Sequence, residues 1–74
     1  MTGDTFVLRD EDEYITLGQL LKAAGLVMSG SEAKFLIQDG EVLVNGEVET
    51  RRGRKLRQGD KVLYDGKTII VTKS

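Results

Sequence analysis

Ser29-Gly30-Ser31-Glu32-Ala33-Lys34-Phe35-Leu36-Ile37-Gln38-Asp39-Gly40-Glu41-Val42-Leu43-Val44-Asn45-Gly46-Glu47-Val48 changes its apolar period half-way, and that change decides the fold class. Before Gly40, Ala33, Leu36 and Ile37 recur at helical spacing and make one buried stripe. Ser29 followed by Glu32 has the spacing of a capping box, in which the two residues satisfy each other's free backbone N–H groups. Gly40 supplies the stop, since a helix commonly ends on a left-handed residue that glycine adopts without strain. After Gly40 the period falls to two. Val42-Leu43-Val44 runs into Asn45-Gly46, a hairpin turn because both central positions need positive φ, and Glu47-Val48-Glu49 returns with Leu43 opposite Val48.

The same signals recur on either side. Toward the N-terminus, Thr16 and Gln19 repeat the capping-box spacing, with Ile15 and Leu20 placed as a hydrophobic staple. Leu17, Leu20, Leu21 and Ala24 form a narrow stripe that Gly25 ends. Two short helices with a short link pack against each other. Toward the C-terminus, Arg51 to Arg57 lacks apolar periodicity, and Gln58-Gly59-Asp60 turns the chain into a strand at Lys61 to Tyr64. Asp65-Gly66 is a second hairpin turn, and Thr68-Ile69-Ile70-Val71 returns. Thr5 to Arg9 alternates as a further strand of the same sheet, and no proline bars any strand from pairing. The fold class is α+β: two packed short helices followed by a small, mainly antiparallel sheet.

Seventy-four residues make one domain, 1–74, with no room for a second core. Cysteine and histidine are both absent. That removes disulfides, thiolate metal sites, the commonest general base and the best nucleophile. The remaining Asp, Glu, Lys, Arg, Ser, Thr and Tyr form no recognisable triad or metal cluster, so we expect no enzyme, no catalytic residue, no metal and no cofactor. No apolar run reaches the length of a membrane span and no signal peptide opens the chain. The expectation is a cytoplasmic binding module with no membrane partner and no small-molecule substrate.

The net charge of −1 hides an uneven distribution. Arg51 to Lys61 carries six basic residues against one acid, Asp60. Five of those cations fall within Arg51-Arg52-Gly53-Arg54-Lys55-Leu56-Arg57, where they repel one another unless a polyanion binds. Arginine's planar fork suits phosphate oxygens, and Gly53 permits close backbone approach. The alternative is a solvated loop paired with Glu47, Glu49 and the acidic N-terminal segment.

The outer face of the second helix presents Ser31, Lys34, Phe35 and Gln38 opposite the apolar stripe. Phe35 there is either covered by other parts of the chain, the reading we favour, or open for base stacking. Phe6, Tyr14 and Tyr64 are expected to finish the core or its rim. With so few aromatics and no RNP-like pattern, single-strand recognition dominated by stacking is not expected. Asp10-Glu11-Asp12-Glu13 reads as a solvated lead-in to a helix, as a contact to a basic partner protein, or as a hydrated metal clamp, for which four consecutive carboxylates have poor geometry. Gly66-Lys67-Thr68 is not a phosphate loop, because a hairpin and no helix surrounds it.

Leu17-Gly18-Gln19-Leu20-Leu21, Ser29-Gly30-Ser31-Glu32-Ala33-Lys34, Gly40 through Val48 and Gly59-Asp60-Lys61-Val62 together resemble the ribosomal-protein-S-four type RNA-binding domain, the αL motif. The likeness covers about residues 14–64. The Arg-Arg-Gly-Arg-Lys-Leu run and the small size are most similar to the stand-alone bacterial YaaA/YbcJ-type members. This resemblance implies binding of structured RNA, with ribosomal RNA preferred, by phosphate contact and shape, in an assembling or mature ribosomal subunit whose proteins could complete the site. Carried onto this chain, the implied RNA-binding surface falls on Thr16, Leu17 and Gly18, on Ser29, Gly30, Ser31 and Lys34, and on the basic run at Arg51, Arg52, Arg54, Lys55 and Arg57. Many members carry a basic residue where this chain has Thr16, Gly30, Phe35 and Glu47, so positive charge is expected mostly on the loop. The alternative function is a protein-interaction adaptor that uses the acidic segment Asp10 to Glu13.

Overall fold

Thr16 starts the first helix as the sequence predicts. Its Oγ1 accepts from the Gln19 N–H at 3.4 Å, and Gln19 Oε1 accepts from the Thr16 N–H at 3.1 Å. The computed structural model describes residues 3–73, in which α1 spans Leu17–Ala23 and α2 spans Gly30–Gln38. Both helices end alike. Gly25 and Gly40 adopt φ of 76° and 79°, and the N–H groups of Leu26 and Glu41 reach back to the carbonyls of Leu21 and Leu36. Two local expectations change. Ser29 Oγ accepts from the Glu32 N–H, but the Glu32 carboxylate accepts from the Met28 N–H at 2.8 Å rather than from the cap residue, so the second box closes one residue early. Ala24 lies beyond α1 as its C-cap and is exposed, because the chain has already begun to turn there.

Among the described residues, seven strands accompany the helices: β1 (Gly3–Leu8), β2 (Ile15–Thr16), β3 (Val42–Val44), β4 (Glu47–Val48), β5 (Lys55–Leu56), β6 (Lys61–Tyr64) and β7 (Lys67–Lys73). Five of them form one sheet in the order β1-β7-β6-β3-β4, and β2 pairs with β5 in a separate ribbon. The Asn45-Gly46 and Asp65-Gly66 turns have positive φ at both residues, and Leu43 faces Val48 as the turn requires. Asn45 also ties its hairpin to the turn before β6: Nδ2 donates to Asp60 at 3.1 Å, and Oδ1 accepts from the Lys61 N–H at 2.9 Å.

The sheet's inner face (Leu8, Val42, Val44, Val62, Ile69, Val71) packs on Leu17, Leu20, Leu21, Ala33 and Ile37 to form the core. β1 joins as expected, but parallel to β7, in register from Gly3 opposite Thr68 to Leu8 opposite Lys73. β5 was not expected. Leu56, the one apolar residue among the loop cations, is wholly buried and pairs with Ile15. A strand of two residues leaves no alternation to read.

Candidate functional site

The basic loop is docked on the start of α1. The first N–H groups of a helix have no partner inside it. Here Leu17 N–H donates to the Arg54 carbonyl at 2.9 Å and Gly18 N–H to the Arg52 carbonyl at 3.0 Å. Below the loop sits Glu49, only 7% exposed. Its carboxylate accepts from the Arg51 backbone N–H (3.1 Å), Arg51 Nε (3.0 Å) and Nη2 (3.2 Å), and Arg54 Nη1 (2.9 Å). The hydrogen bonds from Arg51, then those from Arg54, outweigh burial and lower its pKa to about 2.

This changes the charge arithmetic of the loop. Arg51 and Arg54 both pair with Glu49, whose single charge offsets one of their two, so the reading in which cations pair with neighbouring acids holds for these two, with Glu49 alone of the acids considered. Among the described residues no ion pair engages Arg52, Lys55 or Arg57. These three carry most of the loop's uncompensated charge.

Arg52 runs over α1. Thr16, Gly18, Gln19, Lys22, Gly30, Arg52 and Gly53 line a cleft of about 290 Å³ between the loop and the starts of both helices. Gly53 also borders a broader depression, of about 550 Å³, with Arg51, Arg54, Lys55 and Arg57. The two form one strip. Gly18 is glycine for a local reason: a Cβ there would lie 2.6 Å from Arg52 Cγ.

The structure thus brings together Thr16, Gly18, Gly30 and all five loop cations. Ser29, Ser31 and Lys34 are exposed on or beside α2 but do not line the strip. Leu17 is corrected: its side chain is wholly buried and its N–H is spent on Arg54, so it anchors the loop and presents no surface. Phe35 is corrected too, since it is 71% exposed and no segment among the described residues covers it. Gln19 and Lys22 were missed. Lys22 stands one helical turn beyond Gly18, the i,i+4 spacing that could have found it. Asp10 to Glu13 form a solvated turn between β1 and β2, closed by Asp12 N–H on the Arg9 carbonyl at 2.9 Å and Arg9 Nε on Asp12 at 3.2 Å.

Residues 7–72 match the family model described as the S4 domain. The chain belongs to the S4 domain family. It is 52% identical over 56 residues to the "Probable ribosome maturation protein RlbA" of Bacillus subtilis, covering 76% of this chain and 79% of that protein. It is 40% identical over 58 residues to the "Putative RNA-binding protein YbcJ" of Escherichia coli, covering 78% and 83%. The solution structure of YbcJ, whose αL motif is described as involved in RNA binding, superposes on this S4 domain with a TM-score of 0.70 at 38% identity, covering 92% of this chain and 85% of that one. The α+β architecture is therefore that of the αL motif.

The Gly18–Arg52 contact gives a prediction that separates stability from surface shape. Gly18→Ala gains helix propensity, less than the roughly 1 kcal/mol of a helix interior because it lies in the first turn, but its Cβ must push the Arg52 stem off the cleft. Thermal unfolding should change little while binding through Arg52 weakens. In the Arg52→Ala background Cγ is gone, and Gly18→Ala should then raise stability and cost no binding. A binding loss of equal size in both backgrounds would show that Gly18 acts independently of Arg52.

Proposed function

We propose that residues 1–74 act as one non-enzymatic RNA-binding domain that docks on structured RNA, with ribosomal RNA in a maturing subunit as the target. The observation that carries this reading is the strip itself. Arg52, Lys55 and Arg57, unpaired within the described chain, lie along a groove continuous with the starts of both helices. A groove of uncompensated cations held on a rigid backbone suits a phosphate track, with shape supplied by the helix starts. RlbA, by its name, belongs to ribosome maturation, and YbcJ's motif to RNA binding; both support the reading. It places the protein in the cytoplasm, with ribosomal proteins as neighbours of the bound RNA and Ser29, Ser31 and Lys34 at the margin of the contact.

Binding to purified ribosomal RNA, titrated with salt, tests this. If about five phosphates are contacted, affinity should fall on the order of 10²–10³ between 50 and 200 mM salt. The variant that reports the track is Arg52→Ala/Lys55→Ala/Arg57→Ala, because replacing Arg51 and Arg54 would strand the buried Glu49 and confuse stability with binding. Its slope of log affinity against log salt should be shallower by roughly 2–3. Coincident curves for the native chain and the triple variant would refute the loop as anchor and turn attention to the acidic turn as a protein contact.

A further inference from the structure

The cationic strip ends on an aromatic ring. In the β2–β5 ribbon Ile15 faces Leu56 and Thr16 faces Lys55. Leu56 is buried, so strand alternation turns Thr16 and Lys55 outward. Tyr14, one residue before β2, extends that outward row. Lys55 Nζ lies 5.0 Å and Arg57 Cζ 6.0 Å from its ring centroid, both within reach of a cation–π attraction that holds the two long side chains in place. The ring is still 40% exposed.

Beyond Tyr14 the surface changes sign. Asp10, Glu11, Asp12 and Glu13 line the next depression with Tyr14, Gln19 and Lys73. A phosphate backbone following Arg52, Lys55 and Arg57 meets four carboxylates there and must leave the surface. At that point the partly exposed Tyr14 ring carries Lys55 and Arg57 over it, and a base that stacks there releases the two cations onto its phosphates. Phe35 is the more exposed ring, but it sits at the pole of α2 opposite Ala33 and Ile37 and borders neither part of the strip.

We propose that Tyr14 stacks one unpaired nucleobase at the end of the phosphate track, with Lys55 and Arg57 on the phosphates of that nucleotide. The inference rests on the RNA-binding reading and narrows it: the RNA taken is a junction where a paired stem passes into unpaired nucleotides. A stack on an aromatic ring accepts any base, since every base has a π-face, so the site selects unpaired RNA and no particular sequence.

The experiment compares the native 74-residue chain with Tyr14→Phe, Tyr14→Leu and Tyr14→Ala on two probes. One is an RNA stem capped by an unstructured adenosine loop carrying a fluorescent adenine analogue; the other is the same stem as a blunt duplex. Tyr14→Leu keeps an apolar side chain at this half-open position, so a loss in that variant is a loss of the ring and not of the fold. The native chain and Tyr14→Phe should bind the stem-loop about tenfold tighter than the Leu and Ala variants and quench the analogue. All four should bind the duplex within about twofold of one another and with the same salt slope. Two results overturn the proposal: Tyr14→Leu weakens both probes equally with a shallower salt slope, in which case the ring only arrays the cations, or it binds both like the native chain. If the native chain binds neither probe in a salt-dependent way, the RNA-binding reading itself falls, and the stacking site with it.

Discussion

Leu56→Ala should cost about 3 kcal/mol of folding stability, the cost of deleting a buried leucine from a core that cannot close around the gap. In a 74-residue domain, whose whole stability is of the order of 4–11 kcal/mol, that is a large share. The melting temperature should drop by roughly 15 °C. The position matters because Leu56 is where the basic loop enters the core: wholly buried, it pairs with Ile15 and places Lys55 and Arg57 on the surface. The variant should therefore lose RNA affinity beyond what its unfolded fraction explains, since the loop loses its anchor even in folded molecules. Leu56→Met, which fills nearly the same volume, should stay within about 1.5 kcal/mol and bind normally. Denaturant melts read beside binding curves check this, and an unchanged affinity for folded Leu56→Ala would show that the Leu17 and Gly18 hydrogen bonds alone hold the loop.

Glu49→Gln should be the next most damaging change, and it carries a pH signature. The Glu49 carboxylate is lowered from an ordinary value of 4.5 to about 2 by Arg51 first and Arg54 second. A folded-state pKa below the unfolded one means that Glu49 contributes its full stability above pH 4.5, and that this contribution drains away as the pH falls toward about 2. The shift sets a ceiling of about 3 kcal/mol. Because the Arg51 side chain is 72% exposed, solvent screening brings the expected loss to about 2 kcal/mol. The native chain should therefore lose about 2 kcal/mol across this acid window. The Gln variant should start about that much less stable at neutral pH and show a flatter acid limb. Chemical denaturation repeated from neutral pH to the acid limit measures both. Parallel limbs for the two proteins would mean that other carboxylates govern acid unfolding.

Much of this fold could be read directly because its decisive signals are local. The Thr16–Gln19 box, the left-handed stops at Gly25 and Gly40, and the Asn-Gly and Asp-Gly turns each depend on residues within a few positions, and all form as read. What escaped depends on distant partners. Nothing near Thr5 says that β1 will run parallel to β7. Nothing near Phe35 says whether another segment covers it. The cations of the loop look alike in sequence, yet Glu49 takes two and leaves three, a sorting made by geometry alone. For the candidate site, the glycine at position 18 and the basic run were visible, whereas Lys22 and Tyr14 joined them only once the loop folded back onto α1.

The parallel pairing of β1 with β7 has a kinetic consequence. Each of its rungs joins residues 65 apart, a longer span than in the other four pairings, two of which are hairpins. The entropic cost of closing so long a loop is offset only after the hairpins and helices have gathered β7 into place, so β1 docks last. The same order runs backward on opening. Residues 3–8 are then the first to exchange their amide protons and the most open to a protease, while the helices and the β2–β5 ribbon that carry the cationic strip stay closed. The molecule has a slow outer clasp around a fast-forming interior, and the surface proposed to meet RNA belongs to the interior.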